Sequence, residues 1–138
     1  MILGTKARYA VMAMVDLAGR PDEKPVTLAD IAAAQEITVP YLEQIFSKLK
    51  HKGLVRAVRG PGGGYVLTKR AQEIRVSDII DAVEESMQMT RCDKHTAGGC
   101  MATNKTRCMT HDLWDGLERQ IHSYLTSVSL ADVRERRV

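Results

Sequence analysis

Apolar residues recur through the first twenty positions with the period of a helix. Tyr9, Met12, Val15 and their neighbours form one stripe, interrupted by Lys6, Arg8, Asp16 and Arg20. Thr5 is suited to cap this helix, which is expected to run to about Gly19. Pro21 to Pro25 reads as a linker. Thr27 then caps a short helix, LADIAAAQ, and Glu36–Ile37–Thr38 makes a tight turn. A third helix follows from about Val39 to His51, with Gly53 placed to end it. Its apolar residues Leu42, Ile45, Phe46 and Leu49 fall at i, i+3, i+4 and i+7; Pro40, Glu43, Gln44, Ser47, Lys48 and His51 lie opposite. The period next shortens to two. Leu54–Val58 and Tyr65–Thr68 flank RGPGGG and read as a hairpin. Ser77 is expected to cap a helix through Ile79, Ile80 and Val83. No period is visible from Met89 to about Thr110. A long helix then starts near His111 and aligns Leu113, Leu117, Ile121, Leu125 and Val128, with Trp114 and Tyr124 beside them; a short helix begins near Ser129.

Two short helices, a tight turn and a hairpin make a winged helix-turn-helix. The expected fold class is therefore mainly α with a small β-hairpin: a winged helix-turn-helix domain plus a long dimerisation helix. The division reads as a DNA-binding domain at 1–85, with the helix-turn-helix at about 28–51 and the wing at about 54–68. A cluster-binding loop occupies 86–111, and the dimerisation helix with a C-terminal tail occupies 112–138. A chain of 138 residues has little core left to cover so long an apolar helix. A second copy is the expected cover, giving a two-fold homodimer with recognition helices roughly 34 Å apart on a palindromic site.

Charge changes the picture. The whole chain carries only +3, but from Gln44 to Gln72 there is no Asp or Glu against seven Lys and Arg, leaving 13 basic and 17 acidic residues elsewhere. Such asymmetry points to a polyanion on one face. On the third helix, Gln44 suits an adenine edge, Glu43 a cytosine amine and Lys48 a phosphate. Beside the hairpin glycines, Arg59 suits entry into a narrow minor groove. A nucleotide-binding P-loop is not read here, because neither a Lys-Ser/Thr pair nor a helix follows the glycines. Neither a membrane span nor a signal peptide is read, so the chain is expected in the cytoplasm. No local nucleophile–base arrangement suggests an enzyme.

The three cysteines fall within 17 residues, spaced C-x7-C-x7-C-x2-H as Cys92, Cys100, Cys108 and His111. Three thiolates and an imidazole suit either an iron–sulfur cluster or zinc. Zinc sites usually bring cysteines in closer pairs than these, and His95 is an alternative fourth ligand.

TKARYAVMAMVDLA, YLEQIFSKLKHKGLV, VRGPGGGY and the closing C-x2-H-x-L-W together resemble the Rrf family of winged-helix repressors, in its iron–sulfur cluster regulator branch. The likeness covers nearly the whole length. It implies a 2Fe–2S cluster on Cys92, Cys100, Cys108 and His111, received from the iron–sulfur assembly machinery. It also implies repression of cluster-assembly genes through double-stranded DNA contacts from the third helix and wing. The candidate DNA-contacting set is Thr5 and Arg8 on the first helix, Thr38, Pro40, Tyr41, Glu43, Gln44, Lys48 and Lys50 in the recognition unit, and Arg59 and Gly60 on the wing. Family members that sense nitric oxide recruit an acidic ligand in the first helix, where this chain has Lys6 and Arg8. Pro40 stands where a hydroxyl residue would add a DNA contact, and the ligand spacings are longer than the family's shortest.

Overall fold

Helix α1 (Thr5–Gly19) lies at the centre of the molecule, in contact with α2 (Leu28–Gln35), α3 (Val39–His51), α4 (Val76–Val83) and α6 (Leu130–Arg134). The computed structural model describes residues 4–20, 24–83 and 109–138. Strands β1 (Val55–Val58) and β2 (Gly64–Leu67) form the antiparallel wing, with Val55 opposite Leu67 at its base and Val58 opposite Gly64 at its tip. A longer helix, α5 (His111–Ser127), precedes α6. Ala10, Ala13 and Met14 of α1 meet Ile31, Leu42, Phe46, Ile79 and Leu130 in one fully buried core. Small alanines on α1 let its neighbours approach closely, so a single helix can serve as the hub.

The expected element order is observed, and local chemistry explains most boundaries. Thr27 caps α2 by accepting the Asp30 N–H at 3.1 Å. Glu36 takes a left-handed conformation (φ 55) and turns the chain into α3. Pro40 sits in the first turn of α3, where no intrahelical partner needs its missing N–H. Gly53 ends the helix, donating to the Lys50 carbonyl at 3.0 Å.

At the wing tip, Gly60 accepts from the Gly63 N–H at 2.9 Å across Pro61–Gly62, and the positive φ of Gly62 completes the turn. Gly64 is needed for another reason: a Cβ there would stand 2.4 Å from the Val26 carbonyl oxygen. That closeness lets Val26 and Tyr65 exchange two backbone hydrogen bonds, of 3.0 and 2.8 Å, as a one-residue third arm of the sheet. Nothing in the Pro21–Pro25 reading anticipated it.

Three expectations are corrected. Thr5 does not cap α1. The Gly4 carbonyl already accepts the Arg8 N–H, so Thr5 is the first helical residue and Gly4 the cap. Ser77 does not cap α4, which begins at Val76 and buries Ser77; the Asp78 carboxylate reaches back instead to the Arg75 N–H at 3.0 Å. Val128 leaves the apolar stripe of α5 and is buried in the main core.

The backbone explains that last correction. Val76 donates to Val128 and Leu130 donates to Ile74, at 2.9 and 2.8 Å, so the chain after α5 is stitched to the strand-like entry of α4. The short helix expected near Ser129 is present as α6, residues 130–134, and packs on α1. Ser129 and Asp132 cap α6 reciprocally, at 3.0 Å in each direction.

Candidate nucleic-acid interface and metal centre

The recognition helix divides as its periodicity requires. Leu42, Ile45, Phe46 and Leu49 are wholly buried, whereas Thr38, Pro40, Glu43, Gln44, Ser47, Lys50 and His51 are exposed. Two aromatic contacts hold it. Tyr41, half-buried, meets Tyr9 of α1 edge-on with ring centroids 5.8 Å apart, and Phe46 packs on Tyr65 of the wing at 4.9 Å. One contact ties α3 to the helix carrying Thr5 and Arg8, both exposed; the other ties it to the hairpin carrying Arg59 and Gly60, also exposed. The three candidate DNA-contacting elements are therefore braced against one another through α3. At the wing's base, the Thr68 hydroxyl donates to the Gly53 carbonyl at 2.5 Å, closing the hairpin onto the end of the recognition helix.

Lys48 stands apart from the rest of the polar face. Half-buried, its ammonium donates to the Val83 carbonyl at the end of α4, at 3.4 Å. Ser47, His51 and Lys52 line a shared cleft with Asp81 and Ala82 around that bond. A helix C-terminus favours a cation, which accounts for the direction this side chain takes. Tyr9, Tyr65 and Val26 are the positioning residues that periodicity did not single out as such. Tyrosine at a partly buried position was the available signal for the first two.

Of the candidate metal ligands, His111 opens α5 and is half-buried, while Cys92, Cys100 and Cys108 lie outside the described residues, as does the alternative His95. Among the described residues no group of three or more His, Cys, Asp or Glu side chains is arranged to hold a metal ion. The stripe of α5 is open: Leu113, Trp114, Leu117 and Tyr124 are exposed, Leu113 to 62%, and the helix buries no residue. Among the described residues no helix is long and apolar enough to cross a membrane.

The chain is similar to known proteins in sequence and in fold. A family profile, Rrf2, described as an iron-dependent transcriptional regulator, matches residues 3–136. The HTH-type transcriptional regulator IscR of Yersinia pseudotuberculosis is 49% identical over 133 residues, covering 96% of this chain and 79% of its own. The structure of T. potens IscR superposes with a TM-score of 0.79 at 34% identity, covering 100% of this chain and 89% of that one. CymR, the global cysteine regulator of B. subtilis, superposes with a TM-score of 0.80 at 29% identity, covering 99% and 98%.

Proposed function

The chain belongs to the Rrf2 family of iron-dependent transcriptional regulators, and from that membership we propose an iron–sulfur-sensing repressor of cluster-assembly genes that reads a palindromic operator as a cytoplasmic homodimer. One observation carries the DNA-reading part: a helix with four wholly buried apolar residues presents Glu43 and Gln44 to solvent, braced between α1 and a wing tipped by Arg59.

On this reading Gln44 pairs with an adenine edge and Arg59 enters the minor groove. Thr5, Arg8, Thr38 and Lys50 hold the backbone and set the register. Glu43 is the selector. Its carboxylate is repelled by phosphate unless a cytosine amine meets it, so it bars most sites. Pro40 and Tyr41 fix the entry of α3 rather than read bases, and Gly60 lets the wing tip approach closely.

Cys92, Cys100, Cys108 and His111 would hold the cluster. The donor set fits, since thiolates and a neutral imidazole both bind iron, and His111 stands at a helix N-terminus, which favours a negatively charged group. When bound, a 2Fe–2S cluster, delivered by the assembly machinery, supplies an occupancy that answers to iron and oxidation. Lys48 ties α3 to Val83, the last described residue before the segment bearing the cysteines, so a change at the start of that segment bears directly on the recognition helix. The uncovered stripe of α5 supports the dimer.

The deciding experiment titrates anaerobically purified protein, with iron and sulfide counted, against palindromic duplexes by fluorescence anisotropy, alongside cluster-free protein and Glu43→Ala. The expected result is a coloured dimer whose site preference changes with occupancy. Glu43→Ala should admit duplexes that the cluster-free wild type rejects, by roughly 10-fold or more, the worth of one good base contact. Colourless protein after reconstitution, or discrimination unchanged by Glu43→Ala, rejects the sensing or the selector role respectively. A coloured protein indifferent to duplex DNA would be an iron–sulfur carrier instead.

A further inference from the structure

The acid-free stretch from Gln44 to Gln72 does not send all its cations to the DNA-reading side. Arg56, Lys69 and Arg70 turn to a cavity of about 650 Å³ at the base of the wing, where Arg20, Lys24 and Arg134 join them. Six cationic residues thus line one space, against a single lining carboxylate, Glu73.

Part of that charge is balanced. Arg20 pairs with Asp16 at 3.0 Å, Arg70 with Glu73 at 3.4 Å, and Arg134 with Glu135 at 3.1 Å. The side chains of Lys24, Arg56 and Lys69 make no hydrogen bond or ion pair among the described residues. Three uncompensated cations around one concavity sum to a positive potential that a dispersed basic surface would not produce. Leu17, Ala18, Val66, Leu67 and Ala71 are the apolar members of a lining that is otherwise polar. A volume within the usual range of small-molecule sites, some apolar wall and convergent cations match a small organic ligand that carries several negative charges.

The cavity's place in the fold separates it from the duplex. Arg56 pairs in register with Val66, and the lining then continues past the base of the hairpin, away from the tip at Arg59. Along α1, Arg20 follows Arg8 by twelve residues, about 18 Å at 1.5 Å per residue. The candidate DNA contacts occupy the opening turns of α1, and the cavity occupies its end.

We propose that this cavity is a binding site for a small polyphosphate-bearing molecule of nucleotide size, with Arg56 and Lys69 as its principal phosphate contacts. Because the walls comprise the base of the wing, the end of α1 and α6, an occupant would join three elements that bear on how the wing is held.

The test uses the full chain. Isothermal titration with ATP, inorganic triphosphate and adenosine is run on wild type, on Arg56→Gln with Lys69→Gln, and on Lys52→Gln with Arg136→Gln as a charge-matched control. Operator affinity is measured across a salt series for all three. ATP should bind once per chain. The cavity pair should weaken it about 100-fold, since each lost charge-assisted contact is worth about tenfold or more. The control pair should bind as wild type does, and operator binding without ligand should be the same for all three proteins.

Triphosphate binding as tightly as ATP supports the site and assigns the phosphates as its sole determinant; weaker triphosphate binding assigns the base a share. Four results overturn the proposal. One is no binding by ATP or triphosphate; another is equal loss in both double variants, which marks general surface charge. The third is a cavity variant whose operator affinity falls and whose salt slope shrinks by roughly 3 to 4, two contacts for each subunit of the dimer, which marks Arg56 and Lys69 as duplex contacts. Adenosine binding alone also rejects it.

Discussion

Helices α3 and α5 carry the same kind of pattern and meet opposite surroundings. Each aligns large apolar residues at helical spacing, with polar residues opposite. Yet α3 buries four residues completely, while α5, two residues longer than α1, buries none. Neighbours make the difference. Helix α3 is enclosed by α1, α2, α4 and β1, whereas the main contact of α5 is α4 alone. An amphipathic stripe therefore says that a face will be covered, not whether the cover comes from the same chain. In α3 the stripe stabilises the fold and fixes a reading surface; in α5 it remains available for assembly.

The sharpest way to break this contrast is to damage each stripe in turn. Phe46→Ala should cost about 3–5 kcal/mol, because Phe46 is fully buried and also carries the contact to Tyr65. Urea denaturation at two protein concentrations should give the same cost at each; a cost that grew on dilution would mean α3 also supports assembly. Leu113→Asp with Leu117→Asp should spare the fold of the winged domain and convert dimer to monomer. Operator affinity should fall about 100-fold as the linked second half-site is lost. Sedimentation velocity checks this, and a dimer that survived both aspartates would place the interface elsewhere.

Smaller changes sharpen the comparison at the ends of the two helices. Glu36→Gly, in the left-handed turn leading into α3, should gain about 0.5–1 kcal/mol by removing side-chain strain at φ 55. A lower melting temperature would show that the Glu36 side chain has a role beyond the turn. Past the end of α5, hydrogen bonds from the backbone and hydroxyl of Ser129, then the Arg137 guanidinium, hold the Asp132 carboxyl below the usual aspartate range. Its folded value is thus lower than its unfolded one. The stability it contributes is present above the unfolded value and is lost as pH falls through the folded one. The difference between wild type and Asp132→Asn should be largest at neutral pH and close on acidification; a gap constant with pH would assign the cap to geometry and not to charge.

Periodicity and turn chemistry made the recognition unit legible. The bounds of α3, the cap at Thr27, the turn at Glu36 and the hairpin glycines all depend on residues within a few positions of one another. What escaped was contact between distant positions. Val26 pairs with Tyr65, Lys48 reaches Val83, and Val128 returns to Val76, and no local pattern records any of these. Thr5 and Ser77 have the composition of caps but stand one or two residues inside their helices, because the preceding carbonyls are already engaged. The exposed face at Pro40, Glu43, Gln44, Ser47 and His51 was readable from spacing alone, while the split of the basic residues between wing tip and wing base needed the hairpin register.

The stitching of Leu130 to Ile74, with Arg134 donating to the Ala18 carbonyl across 116 positions, has a consequence during synthesis. A nascent chain that has emerged only through α5 already possesses its reading head and wing, but lacks the helix that packs on the far part of α1. The core around α1 closes only once α6 has been made. A chain made only as far as α5 would leave that core open at its α6 side.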